Sequence, residues 1–358
     1  MPFDPAVLTD DDGRVYLYYG FAPGGDKPMT FPEPDDEKLK DMDPAELEHI
    51  LSRFKRMKDG FGKNSMVVEL EPDMLTTRGE IRTLIPGERF SRGTSFEGHG
   101  FFEASSIRKI RGKYIFVYSS HKSQELCYAV SDKPDSGFEF GGIVVSNGDV
   151  GLHGRTEALN VVGNNHGGIV EADGKYYIFY HRQTNGTEFS RQGCAERIEI
   201  SEDFKIDQVE ITSCGLNGGP LTASGIYPAA ILCHNTCPTT RTLIDYNDPV
   251  MKTQTRITET QYDVYVTDIA DGSVIGYKYF DFKGGESLKL EVRGSFTGKI
   301  RTFGILSEEG DAAYRDFGVQ SDAWTVLDAG KLELSGCSAL YISFFGEGKL
   351  DLRNLIFE

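Results

Sequence analysis

The amino-acid sequence predicts an all-β protein: a propeller-like series of strand pairs followed by a jelly-roll-like β-sandwich. Three observations carry that expectation. The chain has 41 Gly, 17 Tyr and 23 Phe in 358 residues, with few long apolar helical stretches, and short strands joined by tight turns have this composition. A strand–turn–strand unit recurs three times before residue 184. Short alternating runs fill the C-terminal part. Hydrophobic residues make up 39% of the chain, which is enough for real cores in one large domain or two.

The repeat is the most informative feature. Asp4 heads DPAVLTDDDGRVYLYYG, Glu103 heads EASSIRKIRGKYIFVYSS, and His166 heads HGGIVEADGKYYIFYHRQ. The turn glycines Gly13, Gly112 and Gly174 follow these heads by nine, nine and eight residues. Further strand pairs are expected in LCYAVSDKPDSGFEFGGIVVS and CAERIEISEDFKIDQVEITS, completing four-stranded blades. Between the first two repeats an inserted helix is expected, with Asp43 as N-cap, Pro44 at the first helical position, and Leu47, Ile50, Leu51 and Phe54 on one face. Its plain reading is a solvated helix packed on the rim.

The innermost strand of each propeller blade lines the central channel, so equivalent positions converge on the axis. Asp4, Glu103 and His166 are then expected to share one polar site. Each has an ordinary explanation alone: a turn cap before Pro5, a paired carboxylate, a satisfied buried histidine. Three polar heads at one repeat position favour a site, and two carboxyl groups there point to glycoside hydrolysis.

Past Gly219 the blade pattern stops. GIYPAAILCHNTCPTTRTLIDYNDP bridges to new strands, so the expected domains are residues 1–224 and 225–358. SLKLEVRG, KIRTFGIL, KLELSG, ALYISFFG and KLDLRNLIFE read as five antiparallel sandwich strands. Trp324 and Tyr277 are candidates for stacking on a sugar, although a lone Trp in a sandwich is more often core.

A net charge of −17 argues against nucleic acid or an anionic membrane as partner, since phosphate is bound by excess Lys and Arg. A neutral glycan fits better. Cys127, Cys194, Cys214, Cys233, Cys237 and Cys337 lack framework spacing, and Cys233 with Cys237 has no second pair for zinc; reduced thiols are expected. The start MPFDPAVLTDDDG has no leader pattern and no run reaches spanning length, so a cytoplasmic location is the expectation, with secretion open to a longer parent chain.

FDPAVLTDDDGRVYLYYGF, FEGHGFFEASSIRKIRGKYIFVYSS, NNHGGIVEADGKYYIFYHRQTNGTEFSRQGC and QVEITSCGLNGGPL resemble glycoside hydrolase family 43, and the C-terminal part resembles a family 6 carbohydrate-binding module. The resemblance implies a five-bladed propeller of which this chain carries about three blades, and an inverting enzyme. Its expected substrates are terminal α-L-arabinofuranosyl or β-D-xylosyl residues of plant cell-wall glycans. It implies Glu103 as general acid and Asp4 as the carboxylate that orients it and keeps it protonated. Arg191 is implied as Asp4's partner at the pocket edge, Asn164, Asn165 and Phe102 as pocket walls, and His166 as the axial histidine. No cofactor is required for the chemistry; calcium is implied near His166 in the channel, and at Glu259 and Asp351 in the sandwich.

Family members carry the catalytic base in blades preceding the DP motif. The base is therefore expected outside this chain, unless Asp10, Asp11 or Asp12 is recruited from what reads first as a DDDG turn. Exposed blade faces make homo-oligomerisation, or association with the missing blades, the expected outcome. A carbohydrate-binding protein or inactive fragment without the base is the alternative reading.

Overall fold

The computed structural model of the chain describes residues 3–22, 43–48, 50–51, 63–187, 189–240, 245, 247–305 and 314–358. They are almost entirely strand and turn. Two compact units are present: Met1–Ile143 with His166–Ile169 and Ser201–Ile206, and Val144–Asn165 with Val170–Ile200 and Asp207–Glu358.

Two four-stranded sheets dominate the first unit. One runs in the order β1 (Ala6–Thr9), β2 (Val15–Tyr19), β3 (Met66–Leu70), β4 (Thr77–Thr83); the other runs β5 (Phe101–Ile110), β6 (Lys113–Ser120), β7 (Glu125–Ser131), β8 (Glu139–Ser146). Strand alternation selects the core: Tyr16 and Tyr18 of β2 are fully buried, together with Val67, Phe101, Phe116 and Tyr118. The second and third repeats turn on two residues with positive φ, Arg111 and Gly112 (48° and 82°) and Asp173 and Gly174 (50° and 68°). That is the type I′ geometry matching the twist of the paired strands.

The third repeat forms β9 (Gly168–Ala172) and β10 (Lys175–Gln183), which pair with β11 (Arg191–Ile198) in a three-stranded sheet. The second strand expected from CAERIEISEDFKIDQVEITS does not form; a single bridge, Val145 with Val209, stands in its place. The backbone donors there find other acceptors: Ile211 N–H donates to Asp149 Oδ1 (2.8 Å) and Thr212 N–H to Glu196 Oε1 (2.7 Å). Buried carboxylates thus replace a ladder. The helix cap is as expected, with Asp43 Oδ1 accepting from Ala45 N–H at 2.9 Å. Leu51 is exposed, and Phe54 lies outside the described residues.

The remaining strands are β12 (Leu221–Thr222), β13 (Gly225–Pro228), β14 (His234–Thr236), β15 (Arg256–Glu259), β16 (Val264–Ile269), β17 (Val274–Phe282), β18 (Ser287–Phe303), β19 (Arg315–Lys331) and β20 (Gly336–Phe357). They form one nine-stranded sheet. The five expected short strands are corrected here. SLKLEVRG and KIRTF fuse into β18, ALYISFFG and KLDLRNLIFE fuse into β20, and KLELSG is mostly the connection from β19 to β20. Close approach of β18 and β20 explains why glycine interrupts both. A Cβ on Gly298 would meet the Phe345 carbonyl oxygen at 2.1 Å, and one on Gly348 the Ser295 oxygen at 2.0 Å.

A bulge sets which residues face the core. Glu291 pairs with Asn354 while Val292 pairs with Leu352, so the buried positions of β20 change parity from Leu350 and Leu352 to Leu355 and Phe357. Tyr277 is fully buried there, its hydroxyl donating to the Ala229 carbonyl at 3.1 Å; it is core and cannot stack on a sugar. None of the six cysteines is in a disulfide. Among the described residues no helix is long and apolar enough to cross a membrane.

Candidate active site

The site is built where β5 breaks its own register. Phe101 pairs with Ser120, Glu103 with Ser119 and Ser106 with Val117, so the β5 strand carries an extra residue on each side of Glu103. Bulges of this kind re-aim a side chain relative to the sheet. Ala104 takes φ +69°, a left-handed conformation that costs a non-glycine residue roughly 1–2 kcal/mol. Its N–H donates to Asp4 Oδ2 at 3.2 Å, and Asp4 is itself left-handed at φ +44°. Two unfavourable conformations therefore meet across one hydrogen bond beside Glu103, which is 8% exposed.

His166 completes the group, with Nδ1 at 3.6 Å from Asp4 Oδ2 and a side chain 38% exposed. Gly168 explains how its segment comes so near β5: a Cβ there would lie 2.3 Å from Ser106 Oγ. The structure thus brings Asp4, the bulged segment of Glu103 and His166 together within the first unit. Phe102 is half-buried, with its ring 5.3 Å from Phe21, which lies 5.0 Å from Phe3. Gly20 N–H donates to the Phe3 carbonyl and Ala22 N–H to that of Phe102, tying the strip to the site. Phe3 and Phe21 were not among the sequence candidates, although each adjoins a singled-out motif, FDP and YYG.

The three aspartates of the first turn belong to structure. Burial works against charge on Asp10, but Lys109, the Tyr114 hydroxyl and the Asp11 N–H outweigh it and hold the carboxyl below the usual aspartate range. Asp11 pairs with Lys109 at 2.8 Å and Asp12 with Arg14 at 2.7 Å. Five residues, four of them strand β1, lie between Asp4 and Asp10, which puts the two about 20 Å apart along extended chain. The alternative that this turn supplies a base is thereby corrected.

The other sequence candidates lie in the second unit. Arg191 opens β11 opposite Gln183 and is exposed. Asn165 is fully buried and donates to Asn147 Oδ1 at 3.4 Å, while Asn164 Oδ1 stands 3.3 Å from His181 Nε2. Asp351 accepts from Thr267 Oγ1 (2.7 Å) and pairs with Arg293 (2.9 Å); Glu259 is exposed at the end of β15. Calcium takes about six to eight oxygen ligands. Neither Asp4 with His166 nor Glu259 with Asp351 belongs to a cluster of three or more His, Cys, Asp or Glu ligand atoms among the described residues, so any calcium at these positions would take most of its oxygens from carbonyl groups and water.

The sequence model of Glycosyl hydrolases family 43 matches residues 53–205, a span holding Glu103, His166 and Arg191. A "Xylosidase/arabinosidase" of Thermoclostridium stercorarium is 41% identical over 363 residues, covering 98% of this chain and 69% of the relative. The chain belongs to glycosyl hydrolase family 43. A "Beta-xylosidase" of Xylanibacter ruminicola is 30% identical to this family 43 chain over 216 residues, 58% of each protein. A solved glycoside hydrolase family 43 arabinoxylan arabinofuranohydrolase from Bacillus subtilis, in complex with cellotetraose, is similar at 20% identity and TM-score 0.46, covering 99% of this chain and 66% of that one. The chain thus spans about three-fifths to two-thirds of the length of these relatives.

Proposed function

We propose that this family 43 chain is a hemicellulose-degrading glycoside hydrolase. It releases terminal α-L-arabinofuranosyl or β-D-xylosyl residues from plant cell-wall glycans or their oligosaccharides, inverting the anomeric centre. The observation that carries the reading is the double bulge around Glu103, pinned by Asp4 through the Ala104 N–H. The names of the relatives, a xylosidase/arabinosidase and a β-xylosidase, support the substrate class.

In this reading Glu103 protonates the departing glycosidic oxygen, so that the leaving group departs as a neutral alcohol. Asp4 is a positioning residue that fixes the backbone beside the acid, and His166 holds Asp4's other side. The Phe3–Phe21–Phe102 strip offers an apolar surface to a sugar ring. The three strand–turn–strand repeats are read as blades of a five-bladed propeller domain, residues 1–224. Residues 225–358 are read as a sandwich of the carbohydrate-binding-module type.

The test is release of the terminal sugar from a xylo-oligosaccharide and an arabino-oligosaccharide, whose alcohol leaving groups need protonation, by the full chain and by Glu103→Ala. The reading expects turnover of at least one substrate and a loss of about 10²–10⁴ in the variant. Equal rates in both proteins would move the function from hydrolysis to carbohydrate binding.

A further inference from the structure

Outside the residues assigned to sugar chemistry, the first unit gathers three side chains of metal-binding type. Glu125 and Cys127 sit two apart on β7 and therefore share one face, and His99 approaches from the loop before β5. His99 Nδ1 lies 2.8 Å from Glu125 Oε1, Cys127 Sγ lies 3.9 Å from the same ring nitrogen, and all three donor atoms fall within 4.8 Å of one another. We propose that His99, Glu125 and Cys127 form a binding site for one zinc-class divalent cation, with water as the fourth ligand.

Zinc bonds nitrogen and oxygen at about 2.0–2.1 Å and sulfur at about 2.3 Å, so donor atoms around a tetrahedral ion stand roughly 3.3–3.7 Å apart. The observed spacings of 2.8 and 3.9 Å bracket that range. With all three donors already within 4.8 Å of one another, shifts of about half to one ångström bring them to the zinc spacing. Thiolate and carboxylate together balance a double positive charge, and a sulfur–imidazole–carboxylate set selects zinc-class ions over calcium or magnesium.

The supporting contacts are in place. Ser120 Oγ donates to Glu125 Oε1 at 2.7 Å, the Tyr118 hydroxyl donates to the His99 carbonyl at 2.8 Å, and Phe140 stacks on the His99 ring at 4.8 Å. Such outer contacts fix ligand orientation. Glu125 and Cys127 are buried, while the His99 side chain is 23% exposed and leaves an entrance. Lys122 Nζ, 3.5 Å from Glu125 and 40% exposed, moves out to water when a dication arrives. On binding, the Cys127 thiol releases one proton, and the imidazole proton shifts from Nδ1 to Nε2. One metal enters and one proton leaves.

The experiment treats the full chain with chelator, then titrates it with Co²⁺ as a spectroscopic stand-in for zinc. The expected result is one ion per chain, with a thiolate-to-cobalt charge-transfer band. Cys127→Ser abolishes the band and weakens binding by at least tenfold, whereas Cys237→Ser changes neither. Glu125→Gln and His99→Gln also weaken binding at least tenfold, and His99→Gln decides the matter if Cys127→Ser does not fold. No stoichiometric ion, a band that survives Cys127→Ser, or unchanged binding by a folded His99→Gln overturns the proposal. Glycosidase activity is not a readout, so failure here leaves the hydrolase reading standing.

Discussion

Ala104 has no side-chain chemistry of its own, yet the site turns on its backbone. Its left-handed conformation swings β5 out of register, and its N–H carries the connection to Asp4. The strain is local and its compensation comes from a residue one hundred positions away. The aromatic strip beside it makes a different contribution. Phe21 is 37% exposed and packed between Phe3 and Phe102, so it can touch a sugar ring without touching a reacting atom. Phe21→Ala is expected to raise KM several-fold with kcat nearly unchanged, the signature of lost uniform binding. Steady-state kinetics on a xylo-oligosaccharide checks this; a fall in kcat at constant KM would contradict it.

At the scale of elements, two features lend themselves to measurement. Gly348 at φ +95° lies where a Cβ would stand 2.0 Å from the Ser295 carbonyl oxygen. Gly348→Ala must therefore separate β18 from β20 and strain its own backbone. A loss of about 2 kcal/mol or more is expected, read as a lower midpoint of thermal unfolding, and an unchanged midpoint would contradict the close approach.

Glu196 on β11 is buried, and burial pushes its pKa up to about 7 despite hydrogen bonds from the Thr212 hydroxyl, the Thr212 N–H and the Tyr180 hydroxyl. The unfolded chain loses this proton near the ordinary glutamate value, while the folded chain keeps it to about 7. The folded state thus binds more protons across that window. Stability from this group is fully present below the unfolded pKa and is lost as pH rises through about 7, a change on the order of 3 kcal/mol. Relative to wild type, Glu196→Gln should gain several degrees in midpoint at pH 8 over pH 5. Parallel melting curves at both pH values would rule this out.

At the scale of the whole molecule, what the sequence revealed was what is local. The turn glycines and the Asp43 cap each depend on a few neighbouring residues, and all are present in the structure. The bulges around Glu103 were not legible, because they arise from pairing with β6 and from Asp4. The fusion of short runs into β18 and β20 was missed for a related reason: Gly298 and Gly348 read as strand breaks when they are points of close approach. Asp149 and Glu196 as acceptors for the stretch after Val209 need contacts 62 and 16 residues apart. The grouping of His99 with Cys127 joins residues 28 apart with no ligand spacing to announce it. Phe3 and Phe21 adjoin the FDP and YYG motifs, but their ring contacts with each other and with Phe102 join residues 18 and 81 positions apart.

The most direct test of the central claim, that Glu103 is the proton donor to the leaving group, is a comparison of leaving groups. 4-Nitrophenolate departs with little protonation, whereas a sugar alkoxide requires it. The measurement is kcat/KM for wild type and Glu103→Gln on a 4-nitrophenyl glycoside and on the matching xylo- or arabino-oligosaccharide. The predicted result is a loss on the oligosaccharide at least about 100-fold greater than on the nitrophenyl glycoside. An equal loss on both substrates, or none on either, would contradict the assignment of Glu103 as the acid.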